Sequence, residues 1–190
     1  MHSLVVRFAQ YCMEKQIIEN KHFDWFVYGL EKRLSTFFLS IPFAILAIVI
    51  SNIPCAASFF LSFFFLRGYI GGFHASTVLR CLIISLLSES AIFLLVYPLL
   101  SQIGILLIAI ICIMCIFILS PYNHPNMHLT DKEIAACRNK GRIRAFVITS
   151  GIAFTYILGL DEIAKGLTLG IALTTVMLCL GYIYDRRISK

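Results

Sequence analysis

Apolar residues fill this chain in long blocks, and polar residues are confined to the joints between them. Six blocks stand out, at about 35–52, 54–70, 82–98, 103–120, 145–160 and 165–184. A helix needs about 20 apolar residues to cross the hydrocarbon core of a bilayer, so each block predicts a spanning helix once tilt and edges are allowed for. The second block is the awkward one. Its strongly apolar part, Cys55–Leu66, rises only about 18 Å at 1.5 Å per residue, against a core of about 30 Å. That helix must take in the glycine-rich residues that follow, thin the bilayer, or be partly re-entrant.

Ahead of the first block, apolar residues recur at helical spacing: Leu4, Val5, Phe8, Tyr11 and Cys12, then Phe23, Phe26, Val27 and Leu30. Lys15, Lys21, Lys32 and Arg33 lie between them. Residues 1–34 therefore predict amphipathic helices on the cytoplasmic side, lying along the membrane or packing on the bundle, with docking of a partner peptide as the functional alternative. The expected fold is all-α: a polytopic membrane protein of about six transmembrane helices. It forms a single domain over 1–190, with the bundle at 35–184.

Composition strengthens this picture. The chain is 59% hydrophobic with mean hydropathy +0.88, beyond the roughly 45–50% apolar content of soluble domains. The first apolar block begins near Thr36, after a charged segment, so no cleavable signal peptide is expected. The seven cysteines are odd in number and scattered, which predicts no disulfide framework. Cys112, Cys115 and Cys179 fall inside apolar blocks, where small residues pack helices together. The Cys112-Ile-Met-Cys115 pair has no second pair of ligands beside it and reads as packing. His124 and His128 bracket Pro125, which favours an irregular loop over a helical metal site. No metal and no cofactor are expected.

Charge sets the orientation. The net charge is +6, but the cations bracket the apolar blocks instead of forming one stripe, which argues against a nucleic-acid partner. Five Lys/Arg lie in 1–34, two in 67–80, five in 121–144 and three in the tail, whereas Lys165 stands alone beside Asp161 and Glu162. Alternate joints thus carry nearly all the positive charge, and the positive-inside rule predicts a multi-pass cell-membrane protein with both termini in the cytoplasm. Glu89, within the third block, should face the bundle interior or a wet cavity, with a helix–helix hydrogen bond as its bland role.

The longest polar interruption of the first half is Arg67-Gly-Tyr-Ile-Gly-Gly-Phe-His-Ala-Ser-Thr-Val-Leu-Arg-Cys81. On the predicted topology it faces the cytoplasm. A cysteine attacks as its thiolate, which a neighbouring histidinium or arginine favours, and His74, Arg67 and Arg80 are all local. Gly71 and Gly72 permit backbone conformations that aim amide N–H groups at a developing oxyanion. Cys81 and His74 are accordingly the candidate nucleophile and base. Seven residues on one straight helix would share a face but stand about 10.5 Å apart along its axis, too far for a base in contact with its nucleophile. The spacing therefore predicts a break between Gly72 and Thr77, with helix resuming before Cys81.

Arg67, then Gly71-Gly72-Phe73-His74-Ala75, then Cys81 resemble the pattern of the accessory gene regulator B family, AgrB. The likeness extends along the chain and includes Ser120-Pro121-Tyr-Asn-His-Pro125-Asn126 in the later basic loop. It implies a cysteine endopeptidase that acts on an AgrD-like propeptide and yields a cyclic autoinducing peptide for quorum sensing, and it implies a homodimer. On this resemblance Cys81 attacks the bond preceding the propeptide's C-terminal tail. His74 deprotonates it, and a propeptide cysteine captures the resulting thioester as a thiolactone. Arg67 would bind the acidic tail or stabilise the oxyanion. Lys132, Arg138, Lys140, Arg142 and Arg144 are candidates for holding that tail, or serve only to fix topology. Two readings from other classes stand beside this one. A small peptide exporter would need several polar-lined spans, and a non-catalytic scaffold would tolerate loss of Cys81 or His74.

Overall fold

The computed structural model describes residues 2–15, 23–72, 78–122 and 131–188, and among these every regular element is helical. The elements are α1 (His2–Glu14), α2 (Phe23–Ile50), α3 (Ile53–Ile70), α4 (Val78–Ala91), α5 (Gln102–Leu119), α6 (Asp131–Ile157) and α7 (Asp161–Ile188). A π-helical turn, Ile92–Val96, and a 3-10 turn, Tyr97–Leu99, continue α4. The chain divides into two compact units, Met1–Phe43 and Ala44–Lys190.

In the first unit Val5 and Ala9 of α1 are buried with Val27 of α2, and Phe23, Phe26, Leu30 and Leu34 pack around them. This is the helical spacing of the sequence turned into a small core.

The second unit is organised on α7. Helices apolar on all sides belong in an interior, and α7 buries Ala164, Leu167, Leu169, Ile171, Leu173, Met177 and Leu178. Its buried threonine hydroxyls are satisfied within the helix: Thr168, Thr174 and Thr175 donate to the carbonyls of Ala164, Gly170 and Ile171 at 2.8–2.9 Å. α3 crosses α7 at close range. A Cβ on Gly166 would strike Ser58 Oγ and the Cys55 carbonyl, and one on Gly170 would come within 2.7 Å of the Phe59 carbonyl. Ser62 Oγ donates to the Leu167 carbonyl at 3.0 Å across this seam.

Contacts fix the directions of the helices. Gly166 meets Cys55 near the start of α3, and Met177 meets Gly72 just beyond its end, so α3 and α7 run parallel. Tyr182 donates to the Leu119 carbonyl at 2.7 Å, which sets α5 parallel to them. Gly151 of α6 faces Leu167, whereas Gly141 faces Tyr69 and Ile70, so α6 runs the opposite way. α4 also returns: Phe93 packs edge-on against Phe59, with ring centroids 4.9 Å apart, and Tyr97 reaches Glu162 at the start of α7.

Among the described residues, three helices are long and apolar enough to cross a membrane, at Ile53–Ile70, Gln102–Leu119 and Asp161–Ile183. Those of α2 and α4 contribute shorter apolar stretches, Ser40–Ile50 and Ile83–Leu99. α5 shows the solvent it is built for: Ile105, Ala109, Cys112 and Ile116 pack inward, while Ile103, Leu107, Ile110, Ile111, Met114 and Ile118 stand exposed. Cys112 lies in that packed face and is a free thiol. α3 resolves its own shortfall by taking in Arg67 to Ile70 as helix, reaching 18 residues.

Two expected boundaries move. The polar stretch 121–144 is not loop throughout, because α6 begins at Asp131, and the charged half of α6 stands exposed ahead of its apolar half. Asp131 and Glu133 in its first turn complement the helix dipole, and Lys, Glu and Ala are strong helix formers; hydropathy registers neither. The helix of the sixth block likewise starts earlier, at Asp161. His124, Pro125 and His128 lie outside the described residues.

The α3–α7 seam makes the first prediction. Gly170→Val should lower stability by about 1–3 kcal/mol through overpacking. Gly68→Ala, at a position with nothing within 4 Å, should be neutral or gain up to about 1 kcal/mol from helix propensity. Thermal unfolding of the detergent-solubilised variants reads both.

Candidate active site

Five helix ends of the second unit gather at one end of the bundle: the C-termini of α3, α5 and α7 and the N-termini of α4 and α6. The break between α3 and α4 lies here. α3 stops because Gly71 and Gly72 take φ values of +75° and +132°, a region open to glycine and strained for other residues.

Both glycines are pinned. The carbonyl of Ile70 accepts a bond from the Tyr122 N–H at 3.1 Å, and a Cβ on Gly71 would fall 2.6 Å from the Tyr122 carbonyl. At Gly72 the missing Cβ leaves room for Arg67 Nη1 and for the Met177 carbonyl of α7. Arg67 itself, in the last turn of α3, donates from Nη1 to the Gly71 carbonyl at 2.7 Å. A cation there also complements the negative end of the helix dipole.

The strap Ser120-Pro121-Tyr122, with a cis peptide before Pro121, closes over the end of α3. Tyr122 is buried and its ring packs edge-on against Tyr182 of α7, with centroids 5.1 Å apart. Gly141 of α6 admits the strap: a Cβ there would press on Ser120 Oγ at 3.3 Å and stand 3.6 Å from Ile70 and the Tyr69 carbonyl. α3, α6, α7 and the strap thus hold one short piece of backbone.

α4 resumes at Val78, so Cys81 is the fourth residue of its helix and lies in the first turn. Helix is present again at Val78, before Cys81, as expected, whereas the break expected between Gly72 and Thr77 falls on 73–77, outside the described residues. His74 falls in 73–77, outside the described residues, as does the Cys81 side chain.

The cations assigned to substrate divide into two groups. Arg144 stacks on Tyr69 and Phe65 at 4.0 and 4.4 Å and donates to the Phe65 carbonyl at 2.7 Å. Arg142 donates to the Phe117 carbonyl at 2.8 Å. These two tie α6 to α3 and α5. Lys132, Arg138 and Lys140 are exposed, with Lys140 over the Tyr69 ring at 5.7 Å.

Sequence reasoning singled out Gly71, Gly72 and Arg67 and quoted Ser120-Pro121-Tyr122 only as part of a resembling loop, without a role; it missed Gly141, Met177 and Tyr182. For Gly141 the signal was a glycine amid the basic residues 138–144. Lys165, the isolated cation, sits at the opposite end of the bundle. There Glu162 accepts from Lys165 Nζ at 2.8 Å, from Asn52 Nδ2 at 2.7 Å and from the Tyr97 hydroxyl at 2.9 Å.

Apolar outer faces, a tightly crossed helical core and a strapped helix break with cations around it define a helical membrane protein with one chemically furnished end. The chain belongs to the Accessory gene regulator B family, AgrB, whose profile matches residues 5–178. That family comprises peptide-processing proteases linked to the propeptide of agr quorum sensing. No curated protein and no solved structure matches the chain.

The strap makes a second prediction. Gly72→Ala should cost about 1–3 kcal/mol in backbone strain and depress propeptide processing while helix content by circular dichroism stays unchanged. Tyr182→Phe, which deletes only the bond to the Leu119 carbonyl, should cost about 1 kcal/mol in thermal unfolding.

Proposed function

We propose that this chain is a cysteine endopeptidase of the cell membrane that cleaves an AgrD-like propeptide on the cytoplasmic side, with Cys81 as nucleophile and His74 as base. The observation that carries the reading is the position of Cys81 in the first turn of α4, immediately after the strapped break. The N-terminal turn of a helix is where the dipole favours an anion, and a thiolate is the attacking form of cysteine. His74 must lie off the axis of α4 to reach Cys81, because seven residues of continuous helix would hold the pair about 10.5 Å apart.

The chemistry runs in two transfers. The Cys81 sulfur attacks the carbonyl carbon of the bond before the propeptide's tail, His74 having taken the thiol proton. The tetrahedral intermediate expels the tail amine, which takes the proton from the His74 imidazolium as the C–N bond breaks, leaving a thioester on Cys81. A cysteine thiol of the same peptide then attacks the thioester carbonyl, forming the thiolactone and returning Cys81 to its thiol. Thiol–thioester exchange keeps the acyl group activated throughout, provided water is kept out. Gly71 and Gly72 offer backbone N–H groups near this chemistry. The exposed cations Lys132, Arg138 and Lys140, and not the tied Arg142 and Arg144, are offered to an acidic tail.

Membrane placement follows the same reading. The alternating directions of α3 to α7 suit a single crossing by each. The end holding Arg67, Arg138, Lys140, Arg142 and Arg144 is the cytoplasmic one.

Co-expression with the cognate propeptide tests this. Cys81→Ser should abolish cleavage, and His74→Ala should reduce it about 10²–10⁴-fold, the scale of general base catalysis. Cleavage that persists undiminished in either variant removes the mechanism.

A further inference from the structure

Glu89 is the feature the proposed chemistry does not use. Its side chain is fully buried, 0% exposed, and neither carboxylate oxygen has a hydrogen-bond partner. The helix–helix hydrogen bond of its bland role is absent. A carboxyl group sequestered at membrane depth with no partner is costly, and native structures rarely tolerate one without a use for it.

The register of α4 says where that use lies. Ile83, Leu87, Leu94 and Leu95 are exposed and mark one side of the helix and its π-helical continuation. Glu89 is on the opposite side, with Ile92 and Phe93, which are buried. Phe93 in turn meets Phe59 of α3. Glu89 therefore points into the bundle, and a second copy docking on the lipid-facing side of α4 would not reach it. The π-helical turn begins three residues on, at Ile92; such turns recur at functional sites.

The strapped end lies on the same helix. Glu89 is eight residues after Cys81 on the same helix, about 12 Å along the axis. The turn between them, Ile84, Ser85 and Leu86, is only half-buried, although Ser85 and Leu86 share the inward side with Glu89 (100° per residue places them within about 60° of it). An extended peptide covers about 3.3 Å per residue, so about four residues bridge the distance. We infer that Glu89 is a substrate-binding residue: its carboxyl group accepts hydrogen bonds from backbone N–H groups of the propeptide, about four residues from the bond attacked at Cys81.

This rests on the peptidase reading and deepens it by placing a second point of contact. The burial is a standing cost to the free protein that bound peptide would offset, a stability sacrifice typical of binding sites.

The test uses the full-length chain with Cys81→Ser, in lipid nanodiscs, so that propeptide binds without reacting. Affinity for the propeptide and thermal unfolding are measured for Glu89, Glu89→Gln and Glu89→Leu. Expected are unchanged or higher thermal stability for Glu89→Leu, at least about tenfold weaker binding for it, and near-normal binding for Glu89→Gln, which can still accept. Loss of stability in Glu89→Leu would mean a partner within the protein and would overturn the inference. Normal binding by Glu89→Leu would overturn it, as would equal loss in Glu89→Gln, which would require a charge in place of an acceptor. Failure of the peptidase reading shows separately, as no cleavage by the chain with Cys81 intact.

Discussion

The close parallel crossing of α3 and α7 is the constraint from which the rest of the second unit follows. In a bilayer the lipid tails are as apolar as leucine, so helices associate through packing and hydrogen bonds instead of through expulsion of water. Gly166 and Gly170 let the two backbones approach, and Ser62 bonds the Leu167 carbonyl across the gap. Once the seam is set, the end of α3 can fall in only one place. Gly72 lies against the Met177 carbonyl, and the break ahead of α4 inherits its position from packing two turns and more away.

The two ends of the bundle are held by different chemistry. At one, a single carboxylate, Glu162, gathers Asn52, Tyr97 and Lys165 from three elements. At the other, guanidinium groups do the tying: Arg67 to Gly71, Arg142 to Phe117 and Arg144 to Phe65, each on a backbone carbonyl. Helix C-termini leave carbonyls unpaired, and Arg142 satisfies that of Phe117 in the last turn of α5, while the Arg142 and Arg144 planes rest on aromatic rings. Cations that the positive-inside rule explains as topology signals thus also close the ends of α3 and α5. The cost of a furnished end is that Arg142 and Arg144 are committed inside the protein.

Much of this was legible in the sequence, for reasons particular residues make plain. α3 and α5 fall close to their predicted limits, because Asn52-Ile-Pro54 and Ser101 are local punctuation that caps helices. The end of α3 was legible from two adjacent glycines. The start of α6 was not, since an apolar block marks only apolar helix and the first turns of α6 are charged and exposed. Nor was the strap: Tyr122 meets Ile70 and Tyr182 across distances in sequence that no local pattern encodes. Glu89 was legible as an expense, but that its oxygens go unmatched is a property of packing.

The central claim is that Cys81 carries the peptide as a thioester between two acyl transfers. Intact-mass spectrometry of the full-length protein, reacted with a propeptide whose ring-forming cysteine is replaced by alanine, addresses it most directly. The account predicts a mass gain equal to the propeptide without its tail, mapped to Cys81 and discharged by neutral hydroxylamine. Tail release with no adduct, or an adduct that survives in Cys81→Ser, would contradict it.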